Sequence, residues 1–156
     1  MPNNRTILLA VAFACFTVIG MALYYQHAKD MLPCPLCVFQ RYAFLFAGIF
    51  ALAGALVRKQ KPWIVLALVS ALGGLGTVAK HLYVLANPGF SCGIDPLETF
   101  LNKIPTAEYL PWLFRADGLC ESAGDPVLFL TIPAWSAIWF VIISAALVFT
   151  LVRRRA

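Results

Sequence analysis

The sequence predicts an all-α membrane protein, a four-transmembrane-helix bundle with a long extracytoplasmic loop containing short interfacial helices. Three observations lead there. Of 156 residues, 62% are hydrophobic and only 12% charged, whereas a soluble domain carries about 25% charged residues. Four apolar stretches approach the roughly 20 residues a helix needs to cross a bilayer. Basic residues also collect in the segments that would share one membrane face. These facts exclude a soluble monomer, and the length suits a single domain, 1–156. The net charge of +5 would suggest a nucleic-acid partner in a soluble protein. In a membrane protein the same excess reflects topology, and no nucleic acid is expected.

The first helix is expected over about 6–25, a run without charge. Arg5 precedes it as in a signal peptide, but the run is too long, and Tyr24-Tyr25 offers no small-residue cleavage site. The second stretch is uncharged only from Tyr42 to Val57. Starting it at Pro35 gives a helix over about 35–57, roughly 35 Å long at 1.5 Å per residue. The third begins at Pro62-Trp63 and covers about 62–85. The fourth uses Pro133 as a first-turn residue and covers about 133–152, roughly 30 Å. Trp63, Trp135 and Trp139 are candidate interfacial anchors. Ala43, Ala47, Ala51 and Ala55 on the second helix, and Ser70, Ala71, Gly73, Gly74 and Gly76 on the third, read as packing faces.

If all four helices span, Arg5, Arg58, Lys59, Lys61, Arg153, Arg154 and Arg155 share one side with no acid. The other side holds five basic residues against seven acids. The positive-inside rule then puts both termini in the cytoplasm. Cys34, Cys37, Cys92 and Cys120 fall on the outer side, where disulfides persist, and read as two redox pairs. Cys15 lies mid-bilayer and reads as a small buried hydrophobe.

The outer loop runs over about 87–125. Asp95-Pro96-Leu97-Glu98 resembles a helix start, with Leu97, Phe100, Leu101 and Ile104 following at one-face spacing. Tyr109, Leu110, Trp112, Leu113 and Phe114 form a second apolar cluster. Both segments are too short to span, so they are expected to lie on the membrane surface; a compact loop packed on the helix tops is the other reading, and the two are compatible.

The chemistry concentrates in Pro33-Cys34-Pro35-Leu36-Cys37-Val38-Phe39-Gln40-Arg41. With a helix start at Pro35, Cys34 is the N-cap and Cys37 sits in the first turn, where helix N-termini and nearby cations stabilise thiolates. Arg41 lies one turn below Cys37 on the same stripe. An arginine at that depth is costly, so it is expected to serve an anion or a polar ligand. The two-residue gap suits disulfide exchange. A thioredoxin-like βαβ pattern is absent, Val38 stands where a c-type haem site needs histidine, and Cys92 and Cys120 lack the paired spacing of a four-cysteine zinc site. Redox chemistry is therefore expected and no metal. A Cys92–Cys120 link would stabilise the loop by roughly 3–4 kcal/mol in the chain-entropy model. Flexible flanks at Pro88-Gly89, Gly118 and Gly124 also allow a relay between pairs. A lipid-soluble quinone suits as electron acceptor, with Arg41 on its reduced oxygen. His81, beside Lys80, either contacts the other carbonyl, relays protons, or is a satisfied interface residue.

At these residues the chain resembles the bacterial disulfide bond formation protein B (DsbB) family. The resemblance covers nearly the whole chain: four spans, Cys34-Pro35-Leu36-Cys37 with Arg41, Lys80-His81, Cys92 and Cys120, and Ile132-Pro133-Ala134-Trp135. It implies an inner-membrane thiol:quinone oxidoreductase that reoxidises a periplasmic thioredoxin-fold dithiol oxidase (DsbA-like), with ubiquinone or menaquinone as non-covalent acceptor. It further implies that the partner attacks Cys92 and frees Cys120. Cys120 then attacks Cys34, and Cys37 is left as the thiolate facing the quinone beside Arg41. Gln40 stands where some members carry an acid. A relative serving another dithiol partner, a vitamin K epoxide reductase-like enzyme and a metal-binding membrane protein are the competing readings.

Overall fold

The computed structural model describes residues 3–87, 89, 94–124 and 126–153. Pro88, Cys92, Asp125, Arg154 and Arg155 lie outside the described residues, as does the side chain of Asp95. Among the described residues, four helices are long and apolar enough to cross a membrane: α1 (Asn4–Ala28), α2 (Pro35–Leu56), α3 (Lys61–Ala86) and α7 (Ile132–Arg153). The protein is an all-α, four-helix membrane protein. α1 continues three residues beyond its apolar run, its end closed by a bond from Lys29 N to Tyr25 O at 3.1 Å. That extra turn carries Gln26.

The helices neighbour one another in the order α1, α2, α3, α7, and α7 closes against α1. Leu8 and Cys15 of α1, Phe44, Ala47 and Ala51 of α2, Ile64, Ala67 and Ala71 of α3, and Phe140 and Leu147 of α7 meet in one core. Lipid gives packed helices no hydrophobic advantage over separated ones, so close approach of small residues has to hold the bundle together. The alanine stripe of α2 does this. So does Gly48, where an added Cβ would stand 3.0 Å from the Cys15 Cβ; Cys15 is a packing residue. On α3 the small residues divide. Ala71 and Gly74 are buried, while Gly73 and Gly76 face outward with nothing within 4 Å of an added Cβ. Phe140 stacks on Phe44, ring centroids 3.9 Å apart, and fills the space that Gly74 leaves. Outward-facing Phe13, Phe46, Val69, Val141 and Phe149 form a belt suited to lipid.

The long loop between α3 and α7 folds into α4 (Ile94–Asn102), α5 (Pro105–Tyr109), α6 (Pro111–Phe114), a 3₁₀ turn (Glu121–Gly124) and an antiparallel hairpin, β1 (Pro126–Val127) with β2 (Leu130–Thr131). Leu101, Ala107, Phe114 and Ala116 bury together with Val38 of α2, so the loop packs on the helix tops. Phe100, expected on the same face as Leu101, is exposed, as are Tyr109 and Trp112. These exposed side chains leave an apolar outer surface. Asn102 fastens the loop to itself: its amide donates to Ala116 O at 3.0 Å and its carbonyl accepts from Ala116 N at 2.9 Å. The Tyr42 ring stacks on Phe114 at 4.3 Å, and its hydroxyl bonds Thr106 Oγ1. The hairpin was not expected. Its turn places Leu128 and Phe129 at φ 50° and 76°, where non-glycine residues are strained, and Trp135 Nε1 donates to Val127 O at 2.9 Å.

The contrast between neighbouring glycines is testable. A Cβ at Gly74 would lie 2.3 Å from the Phe140 ring. Gly74→Ala should therefore lower stability by about 1–3 kcal/mol through overpacking, seen as a lower unfolding midpoint in detergent. Gly73→Ala should leave the midpoint unchanged or raised.

Candidate redox site

The site is built at the N-terminal end of α2. The chain enters the helix through Cys34, whose extended backbone (φ −78°, ψ 165°) makes it the N-cap, with Pro35 as the first helical residue. The Cys34 Sγ accepts the Cys37 backbone N–H at 3.3 Å, and the Cys34 thiol donates to the Cys37 Sγ at 2.8 Å. Both cysteines are free thiols. A disulfide needs the sulfurs at about 2.05 Å, so closure requires under about 1 Å of movement. The Cys34 thiol, just ahead of the helix, is held above the ordinary thiol range, first by the hydrogen bond to Cys37 and then by burial. Cys37, in the first turn of the helix, is the sulfur placed where a helix N-terminus favours negative charge.

Arg41 lies one turn further along α2 and is only 7% exposed. Its Nη1 donates at 2.8 Å both to Gln26 Oε1 on α1 and to Leu113 O in the loop. Gln26 in turn donates to Trp112 O at 3.1 Å. Among the described residues Arg41 pairs with no carboxylate; the one ion pair there joins Arg115 and Asp117. Arg41 therefore holds a polar anchor for the loop, and its remaining N–H groups have no hydrogen-bond partner among the described residues. Arg41, Cys37, Gln26 and Gln40 line a common cavity whose other walls include Val18, Ile19, Ala22 and Phe44.

His81 is fully buried and does not line that cavity. Its Nε2 lies 3.9 Å from the Cys34 Sγ and 3.3 Å from Cys120 O, and its Nδ1 lies 3.2 Å from the Gln40 Nε2. His81 thus lies between Cys34 and the Cys120 carbonyl, with both ring nitrogens facing polar neighbours. Lys80, next in sequence, points outward and is exposed.

Cys120 packs with Cys34, Leu36 and Val84 in a buried cluster against which Cys37 also rests, and it is disulfide-bonded. Cys92 lies outside the described residues. The loop is brought to Cys34 by Asp117 and Gly118, whose backbone N–H groups donate to Pro33 O at 3.2 and 3.0 Å. A Cβ at Gly118 would stand 2.1 Å from Leu32 O. Gly118, expected as a flexible flank, is instead needed for close approach of two backbones. Gln26 and the pairing of Gln40 with His81 were also not anticipated. Each depends on a partner far away in sequence, with no local pattern to announce it.

Cys34, Cys37 and His81 place their donor atoms within 4.8 Å of one another, which raises the question of a metal. Two thiolates on one tetrahedral zinc, with Zn–S bonds of about 2.3 Å, stand roughly 3.8 Å apart. Sulfurs at 2.8 Å are too close for that and suit disulfide chemistry.

A multi-pass helical membrane protein with a close dithiol and a neighbouring disulfide defines a membrane protein of thiol–disulfide oxidoreductase type. The family model described as disulfide bond formation protein DsbB matches residues 4–150. The chain is 46% identical to disulfide bond formation protein B of Herminiimonas arsenicoxydans over the whole of both chains. It is 45% identical to that of Ralstonia nicotianae, over 97% of this chain and 96% of the relative. It is 44% identical to that of Cupriavidus metallidurans, over 97% and 95%. The chain belongs to the DsbB family of bacterial membrane proteins in disulfide bond formation.

Gly118→Ala should undock the loop while leaving the bundle intact. Amide hydrogen exchange of the segment around 111–124 should quicken, with no more than a small change in the unfolding midpoint of the four long helices. Unchanged exchange would show that the Pro33 contact does not hold the loop.

Proposed function

We propose that the protein is a thiol:quinone oxidoreductase that reoxidises a periplasmic thioredoxin-fold dithiol oxidase (DsbA-like) at the outer face of the bacterial inner membrane. The observation that carries this reading is the shared cavity: the charge-bearing sulfur, Cys37, and the buried cation, Arg41, line a space with apolar walls. Those walls suit a flat, lipid-soluble ring such as ubiquinone or menaquinone, and Arg41 offers unused donors for a carbonyl oxygen. A quinone bound there would accept two electrons and two protons from the dithiol.

The residues of the chain supply the rest. A reduced thiol of the partner attacks Cys92, forming a mixed disulfide and releasing Cys120 as a thiolate. Cys120 attacks Cys34, the Cys34–Cys37 bond breaks, and the electron pair goes to Cys37. Packing of Cys120 against Cys34 in one buried cluster supports this order. Arg41, itself buried, stabilises the anion on Cys37 across the cavity they share. The charge asymmetry of the sequence supports cytoplasmic termini, which puts the cysteine pairs in the periplasm.

Cys37→Ser should abolish partner turnover yet still trap the reduced partner as a mixed disulfide at Cys92, seen as a cross-linked band without reductant. A variant that neither turns over nor traps the partner would contradict the assigned order. Arg41→Ala should raise the KM for quinone by roughly tenfold or more, equivalent to about 1.4 kcal/mol. A wild-type KM and kcat would remove Arg41 from the mechanism. Thiol labelling of fully oxidised protein should find two disulfides, whereas four thiols freed by chelation would support metal binding instead.

A further inference from the structure

The two sulfurs of the inner pair face different groups. Cys37 shares its cavity with Arg41. Cys34 is turned away from that cavity, and the nearest ring atom to its Sγ is His81 Nε2, at 3.9 Å, within reach of an N–H···S hydrogen bond. The Gln40 amide nitrogen, 3.2 Å from His81 Nδ1, can only donate, so Nδ1 is the acceptor and the ring proton lies on Nε2. That proton now points to Cys120 O at 3.3 Å, with Cys34 as its alternative acceptor. His81, Gln40, Cys34 and Cys120 are all buried, so water does not supply this hydrogen bond.

We propose that His81 is a catalytic hydrogen-bond donor for Cys34, kept in its Nε2–H tautomer by Gln40 as a positioning residue. The inference rests on the thiol–quinone reading above and adds a role for the second half of its cycle. Once Cys34 and Cys120 are linked, the second thiol of the partner attacks the partner's own sulfur in the mixed disulfide. The partner leaves oxidised, and Cys92 is freed as a thiolate, which then attacks Cys120. The Cys92–Cys120 bond forms, the Cys34–Cys120 bond breaks, and the electron pair stays on Cys34. No oxidant enters this step, and His81 transfers no proton. Its N–H swings from Cys120 O to the new thiolate, as a preorganised donor stabilises charge that develops only during reaction. Each sulfur of the pair thus has its own stabiliser: Arg41 when Cys37 departs, His81 when Cys34 departs.

The test compares His81→Leu, which removes the donor, with His81→Gln, whose amide nitrogen can reach about where Nε2 lies. Acid quenching with thiol labelling follows how fast the Cys34–Cys120 link is resolved in full-length protein, with the KM for ubiquinone measured alongside. His81→Leu should slow resolution roughly 100-fold, the scale seen when one preorganised donor is removed, with the linked form accumulating and the KM unchanged. His81→Gln should recover most of that rate, which proton transfer or simple misfolding would not allow. A wild-type rate in His81→Leu, or no recovery with glutamine, overturns the proposal. The ¹⁵N spectrum of histidine-labelled protein has only two side chains to resolve, His27 and His81, and a His81 ring protonated at Nδ1 instead of Nε2 also overturns it. A wild-type protein that never forms the Cys34–Cys120 link defeats the relay itself, while a normal link with no quinone reduction defeats only the choice of acceptor.

Discussion

The cysteine-bearing end of the bundle depends on a buried guanidinium that has no carboxylate partner among the described residues. A charge withdrawn from water costs several kcal/mol unless hydrogen bonds or an opposite charge compensate. Among the described residues, Arg41 obtains two hydrogen bonds, one from the last turn of α1 through Gln26 and one from the loop through Leu113 O. Those bonds tie α1, α2 and the loop together around one cavity. Among the described residues no carboxylate pairs that charge, and Cys37 lines the same cavity. In the proposed mechanism a structural role and a chemical role share this side chain, since the residue that holds the loop also lines the cavity.

The second constraint is dryness around the sulfurs. Cys34 and Cys120 are buried together, and the backbone contact between Gly118 and the Leu32-Pro33 segment closes the loop over them. Thiolate exchange between pairs needs an attacking sulfur, an open line to the target and a stabilised leaving group. Burial makes each stabilising contact stronger than it would be in water, and also requires that each be supplied by the protein. In the proposed relay, the helix N-terminus at Cys37, Arg41 in the cavity and His81 behind Cys34 divide that task by position.

Much of this was legible in the sequence because it is local or compositional. Apolar runs marked the four helices, Pro35 and Cys34 marked the start of α2, and four-residue spacing put Arg41 below Cys37. What was not legible depends on residues distant in the chain. Gln40 meets His81 only after α2 and α3 pack, Arg41 meets Leu113 only after the loop docks, and Gly118 looks like a hinge until Leu32 lies against it. The hairpin at 126–131 escaped for a different reason. Its turn residues, Leu128 and Phe129, adopt positive φ without the glycine or asparagine that normally signals such a turn. The last turn of α1 was missed because hydropathy stops at Tyr25, although backbone hydrogen bonding continues to Lys29.

The central claim is that electrons pass from an external dithiol through both cysteine pairs to a quinone. Stoichiometry tests it most directly. Purified protein is mixed with reduced dithiol partner and ubiquinone under anaerobic conditions, and the loss of partner thiols is counted against the loss of oxidised quinone absorbance. The account predicts one quinone reduced for each partner disulfide formed. Partner oxidation without a matching loss of quinone would contradict it.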